Sequence, residues 1–313
     1  MKRKSTIIAY MLAGALVLSC TTNTQKSDKE SEREEIIGKS SPHIENGIMT
    51  PEVLYSFGRI GEMQVSPDKS HIVYEVTYVS IPQNKMNTEL FVMKTDGSEK
   101  KQLTRSNSRE SNPRWINGGK KIAFLSDKDG TAQLWTMNSD GSDEEKISDI
   151  EGGINSFSFS PDEKKVLFVK NVKTQPTAAD RYPDLPEASG RIIDDLMYKH
   201  WDQWVTEVPH PFVADFSEGK LQDAKDILEG EPYESPMLPF GGMEQLAWSP
   251  DSKTIAYTCR KKTGKEYALS TNSDIYLYRV ESGETLNITE GMPGYDTNPQ
   301  FSPDGKYIAW QSM

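Results

Sequence analysis

One pattern recurs five times along this chain and limits its fold more than any other feature. It reads QVSPDKSHIVYEV at 64–76, RWINGGKKIAFLS at 114–126, SFSPDEKKVLFVK at 158–170, AWSPDSKTIAYTC at 247–259 and QFSPDGKYIAW at 300–310. Each copy is a short apolar run, a tight turn and a second apolar run. In Ser-Pro-Asp-Gly, Ser opens a type I turn, Pro presets φ at the next position, and Asp then Gly close it. A second pattern follows each of the first four copies: LFVMKTDGSEKKQLT at 90–104, LWTMNSDGSDEEKIS at 134–148, PFVADFSEGKLQDAKDILEG at 211–230 and IYLYRVESGETLNIT at 275–289. Asp-Gly between strand-like runs is a hairpin signal. Two hairpins in succession predict a four-stranded antiparallel unit.

The spacing predicts one module repeated. Ser66 to Ile116 is 50 residues, Ile116 to Ser160 is 44 and Ser249 to Ser302 is 53. Four-stranded units at this period are the blades of a β-propeller. The strands after the turns are apolar on both faces: in KYIAW, Tyr307 and Ala309 point one way, Ile308 and Trp310 the other. A sheet with one wet face alternates apolar with polar, whereas stacked blades are covered on both sides. The expected class is therefore all-β, with about four and a half blades at 48–313 and an incomplete ring. Segment 48–58 offers too few strand residues to complete the fifth unit; Thr50-Pro51-Glu52 instead reads as a capped helix start. The fifth unit is thus expected to be cut short.

Ser160 to Ser249 is 89 residues, nearly two periods, yet holds a single second-hairpin pattern. The surplus is an insertion at about 172–210, and long excursions from a regular repeat often carry function. It concentrates Tyr198, His200, Trp201 and Trp204 in seven residues. Ile193, Met197, Trp201 and Trp204 would share a helical face, or IIDDLMYKHW would form a long strand. These aromatics either pack the insertion onto the propeller or face a substrate chamber. Tyr295 and Asp296, on the loop before the fifth unit, are further chamber candidates. Asn112-Pro113 and Asn298-Pro299 occupy matching repeat positions and read as architecture, as do Trp115, Trp135, Trp248 and Trp310 within strands.

The first twenty residues follow another logic. Lys2, Arg3 and Lys4 precede the apolar run Ile7–Leu18, too short to span a bilayer but suited to a signal peptide. The run ends at Leu16-Val17-Leu18-Ser19-Cys20, similar to a bacterial lipobox with Cys20 as the lipidated first mature residue. Residues 21–47 are polar and read as a flexible tether. The expected location is exported, in the periplasm or outer membrane, with membrane attachment through lipid on Cys20. A net charge of −11 excludes the basic surface that nucleic-acid binding needs. Cys20 and Cys259 are the only cysteines and His43, His71, His200 and His210 the only histidines, so no disulfide framework, metal site or cofactor is expected.

The SPDGK-type repeats behind a secretion signal, the LMYKHWDQW insertion and the GYDTNPQFSPDGKYIAWQSM ending resemble the prolyl oligopeptidase family, in its secreted dipeptidyl peptidase and acylaminoacyl peptidase branch. The resemblance covers about 49–313. The repeat motif alone is shared with the propeller of the periplasmic Tol system; the insertion and the ending are more specific. The resemblance implies a propeller of seven or eight blades that admits short peptides to an α/β-hydrolase domain. That domain carries a Ser-Asp-His triad with the serine in a G-x-S-x-G turn. No G-x-S-x-G occurs in these 313 residues, so no triad residue is carried over and the chain by itself is expected to be catalytically inactive. Two expectations follow: the propeller part of a secreted serine exopeptidase, or a membrane-tethered propeller that binds a protein partner as the Tol propeller does.

Overall fold

The computed structural model describes residues 36–313; Cys20, the signal peptide and the first part of the tether lie outside the described residues. From 36 to 50 the chain has no regular structure, and the Asn87 side chain donates to the Ile37 carbonyl at 3.3 Å. Helix α1 (Pro51–Ser56) follows, capped by the Thr50 hydroxyl, which accepts from the Val53 N–H.

Strands then run in fours. Blade one is β1 (Arg59–Val65), β2 (His71–Ser80), β3 (Lys85–Lys94) and β4 (Lys101–Gln102). Blade two is β5 (Glu110–Ile116), β6 (Lys121–Ser126), β7 (Gln133–Asn138) and β8 (Glu145–Lys146). Blade three begins with β9 (Ser156–Phe159) and β10 (Lys165–Lys173), and is interrupted by α2 (Ala178–Arg181) and the small hairpin β11 (Lys199–His200) and β12 (Gln203–Trp204). It resumes with β13 (Glu207–Ser217) and β14 (Lys220–Asp226). Blade four is β15 (Leu246–Trp248), β16 (Thr254–Cys259), α3 (Gly264–Leu269), β17 (Asp274–Arg279) and β18 (Thr285–Asn287); the fifth unit is β19 (Asp296–Phe301) and β20 (Ile308–Ser312). Each blade is antiparallel in sequential order, and β19 pairs with β20. The fold is an all-β propeller array, and among the described residues no sheet closes on itself.

The turns work as the residues require, with one refinement. In the four Ser-Pro-Asp copies the serine hydroxyl donates to the aspartate two residues on, at 2.5–2.7 Å. It also accepts the N–H that opens the next strand, at His71, Lys165 or Thr254, or the one just before it, at Tyr307. These bonds stabilise the charged carboxylate: led by the serine hydroxyl, they hold Asp68 down to about 2 and lower Asp251 and Asp304. The fourth turn position is left-handed, at φ 61° for Lys69, 55° for Glu163, 62° for Ser252 and 69° for Gly305. Gly305 alone adopts it without a Cβ penalty.

The core lies between blades. On β6, Ile122 and Phe124 face blade one with Val73, Leu90 and Val92, while Ala123 and Leu125 face blade three with Phe157, Val166 and Phe168. On β10 the alternate residues Leu167 and Val169 turn to blade four, meeting Leu246, Ile255 and Tyr257. Side chains alternate across a strand, so burying both sets explains the continuous apolar runs. At the two outermost units the pattern relaxes: Ile60 and Met63 on β1, and Tyr307 before β20, are exposed.

A second repeated device fixes the outer strands. The hydroxyls of Thr104, Ser148 and Thr289 accept the backbone N–H of Leu90, Leu134 and Ile275 at 2.8–3.0 Å. Each donates in turn to the side chain one residue earlier on that strand, Glu89, Gln133 or Asp274. Blade three departs from this. Pro211 has no N–H to offer, the hydroxyl position holds Leu228, and the preceding residue is His210, paired with Asp226 at 2.9 Å. His210 thus belongs to strand β13, not to the insertion, which runs from 174 to 206 between β10 and β13.

Candidate functional site

Antiparallel order places the β1–β2-type and β3–β4-type turns at one end of every blade and the other two connections at the opposite end. The Ser-Pro-Asp and Asp-Gly turns therefore share one face. The insertion 174–206, the β14–β15 connection 227–245, the β16–β17 connection 260–273 and the β18–β19 connection 288–295 share the other.

On that second face three of these segments meet. The insertion is neither the helix nor the long strand that its pattern allowed. It is largely irregular, with the β11–β12 hairpin turning at Trp201, where φ is 54°. Asp195 of the insertion sits against α3 so closely that a Cβ on Gly264 would lie 2.0 Å from its Oδ2. Tyr267 of α3 donates its hydroxyl to Glu234 Oε1. Trp201 stacks edge-on against Phe240 of the 227–245 segment, centroids 5.3 Å apart. Insertion, α3 and the 227–245 segment are thus joined pairwise.

Two adjoining cavities lie here, the larger within the insertion and against 263–264, the smaller among all three segments. The larger, about 440 Å³, is lined by α2, by 188–198 and by Trp204, Val205 and Thr206. The smaller, about 80 Å³, is lined by Leu196, Met197, His200, Tyr233, Glu234 and Tyr267 among others. Gln175, Leu196, Met197, Val205, Thr263 and Gly264 wall both. Glu234 is the carboxylate of the smaller cavity and is buried, 7% exposed. Burial pushes it up to about 7, against the Tyr267 hydrogen bond and the Arg260 charge. Arg260 lies 4.5 Å from the Tyr267 ring centroid. Burial, and then Arg260, lower His200 and favour its neutral form, while burial raises Tyr267. The site is therefore a partly desolvated pocket whose acid titrates near neutrality. A third hollow, about 500 Å³ between Pro250, Arg279, Phe301 and Tyr307, opens on the turn face.

The sequence candidates divide among these places. His200 lines the smaller cavity; Tyr198 and Trp204 line the larger. Trp204 is flanked by Arg191 and Lys199, at 4.1 and 4.7 Å from its ring centroid. Trp201 projects from the hairpin tip, 70% exposed, and lines neither. Tyr295 is half-buried and exchanges backbone hydrogen bonds with Met313. Asp296 is buried at the start of β19 and accepts from the Trp310 indole at 3.2 Å. It matches Glu110, which opens β5: Asp296 pairs with Ser312 as Glu110 pairs with Ser126. The Asn-Pro dipeptides between them sit at matching register shifts, with Asn112 and Asn298 left-handed. Sequence reasoning passed over Glu234, Arg260 and Tyr267. The one available signal was EPYESP at 231–236, acids between prolines in a long connection.

Stacked four-stranded blades with cavities on the loop face define a β-propeller, and a family model described as the TolB β-propeller domain matches residues 54–189. Dipeptidyl-peptidase 5 of Porphyromonas gingivalis is 55% identical over 265 residues, 85% of this chain and 39% of that protein. Dipeptidyl-peptidase 5 of Porphyromonas endodontalis is 48% identical over 269 residues, again 39% of its length. The acylaminoacyl peptidase of Pyrococcus horikoshii shares the fold, with a TM-score of 0.59 at 18% identity over 83% of this chain and 36% of that one. The chain is thus a β-propeller array similar over most of its length to dipeptidyl-peptidase 5 proteins, and it spans about 39% of the length of these two relatives.

Proposed function

We propose that this propeller admits short peptides to a serine exopeptidase centre supplied by an α/β-hydrolase domain, and that peptides pass the loop-face cavities between the insertion and α3. The observation that carries this reading is the 55% identity to a dipeptidyl-peptidase 5 over 265 residues, 85% of this chain. The cavities give it a place: a buried acid beside an apolar hollow offers a peptide both a polar contact and a side-chain recess. In this reading Tyr198, His200 and Trp204 touch the peptide, and Tyr295 and Asp296 hold the blade beneath.

The test is a calorimetric titration of the chain with Ala-Ala, beside an assay for release of 4-nitroaniline from a dipeptidyl anilide. Saturable binding that Trp204→Ala weakens, with no hydrolysis, is the expected pair of results. No binding up to 10 mM Ala-Ala overturns the cavity as a peptide site and favours the second reading, a propeller that docks a protein. The TolB-domain match at 54–189 supports that second reading. We also propose export with lipid on Cys20. Radiolabelled palmitate should enter the chain in a bacterial host and fail to enter the Cys20→Ser variant; label in both sinks the proposal.

A further inference from the structure

We propose that the Trp201–Phe240 ring contact is a latch across the smaller cavity, the side of the three-way junction that opens to let a ligand in. The inference rests on the peptide-site reading for its ligand but not for its mechanics.

Three contacts join the three segments around the cavities, and they differ in kind. Insertion and α3 meet where Asp195 crowds Gly264, an approach that leaves no room even for a methyl group. The 227–245 segment and α3 meet through the partly buried hydrogen bond from Tyr267 to Glu234, whose carboxylate is buried. That bond ends on a buried carboxylate, so breaking it removes a partner from a desolvated acid and costs more than parting two exposed rings. Insertion and 227–245 segment meet through Trp201 and Phe240, and these two rings are 70% and 80% exposed. Two rings so open to water lose little burial when they part. An aromatic pair of this geometry biases an equilibrium by roughly two- to tenfold. It is the weakest side of the triangle.

Its position gives that weakness a use. Trp201 directly follows His200, and Phe240 lies six residues after Glu234; His200 from the insertion and Glu234 from the 227–245 segment line the same cavity. The hairpin bearing Trp201 is a two-stranded sheet of two residues a side, paired to no blade. Such a hairpin is marginal alone, so its pose depends on what its tip touches. Parting the rings frees the His200 wall from the Glu234 wall while the Asp195 and Tyr267 contacts keep α3 in place.

The experiment uses Trp201→Ala, Phe240→Ala and the double variant in the full chain, with Leu269→Ala as an exposed apolar control. Stopped-flow fluorescence with Ala-Ala reads binding through Trp204. Each ring variant should raise the association and dissociation rates together by two- to tenfold, with the Kd changed less than twofold. The double variant should go no further than the singles. A weakened Kd at unchanged association rate would mean that the rings touch the ligand, which overturns the latch. Amide hydrogen exchange of 199–204 and 236–242 supplies a readout without ligand. It should accelerate two- to tenfold in both ring variants and not in Leu269→Ala, and unchanged exchange overturns the latch. Absent Ala-Ala binding with accelerated exchange would sink the peptide reading and leave the latch standing.

Discussion

Blade three lacks the hydroxyl clamp of its neighbours because Pro211 removes the N–H that the clamp holds, and this can be tested by putting the clamp back. In Pro211→Leu a new N–H points at the Leu228 side chain, which is 1% exposed and accepts nothing. A buried unpaired donor costs about 1–3 kcal/mol. Leu228→Thr alone removes buried apolar surface worth about 1–2 kcal/mol and introduces a hydroxyl with no N–H to accept. In the double variant the hydroxyl introduced in place of Leu228 stands where Thr104 and Thr289 hold their N–H groups at 2.9 and 3.0 Å. Urea unfolding of the four proteins gives the coupling directly. The double variant should be about 1–2 kcal/mol more stable than the two single costs predict when added. Additivity within roughly 0.5 kcal/mol would refute the clamp as the reason that proline and leucine occur together here.

Other consequences are equally open to measurement. Phe124→Ala empties a fully buried site between blades one and two and should cost about 3–5 kcal/mol, while Tyr307→Ala, 74% exposed, should cost less than about 0.5 kcal/mol; comparable thermal shifts would contradict the two-faced packing. Burial and the neighbouring Glu89 carboxylate push Glu110 up to about 8, far above its ordinary 4.5. The folded chain then holds a proton that the unfolded chain releases between those values, so stability should fall as pH rises from about 4.5 through 8. Glu110→Gln should flatten that slope, as urea midpoints at pH 5, 6.5, 8 and 9 would show. Gly264→Ala, at φ 54° and against Asp195, should cost about 1–3 kcal/mol and displace α3, read as a loss of Tyr267 protection in hydrogen exchange.

Much of the fold could be read from the chain because its signals are local. Ser-Pro-Asp closes on itself through bonds spanning two to five residues, and a strand covered on both faces must be apolar at every position. ESNPRW and DTNPQF likewise announce one bulge twice. The insertion was legible as an interruption but not as a shape, since IIDDLMYKHW satisfies helix and strand patterns alike. Only contacts with α3 and with 227–245 fix it as an irregular loop ending in a hairpin. His210 looked like part of that insertion because Pro209 and Pro211 hide the strand pattern; pairing with Asn171 through Val169 on β10 places it in the blade. Asp296 read as a loop acid near a chamber, yet its burial follows from the partner strand β20, sixteen residues from Asp296 at its end.

The sequence by itself determined the repeat, the blade and the turn chemistry, because each depends on residues within one hairpin of one another. The tertiary structure alone decided the site. Glu234, Tyr267, His200 and Trp204 come from connections up to 67 residues apart, and nothing local marks them as neighbours. What brings them together is the stacking of blades three and four, which aligns their loop ends on one face and buries a carboxylate there.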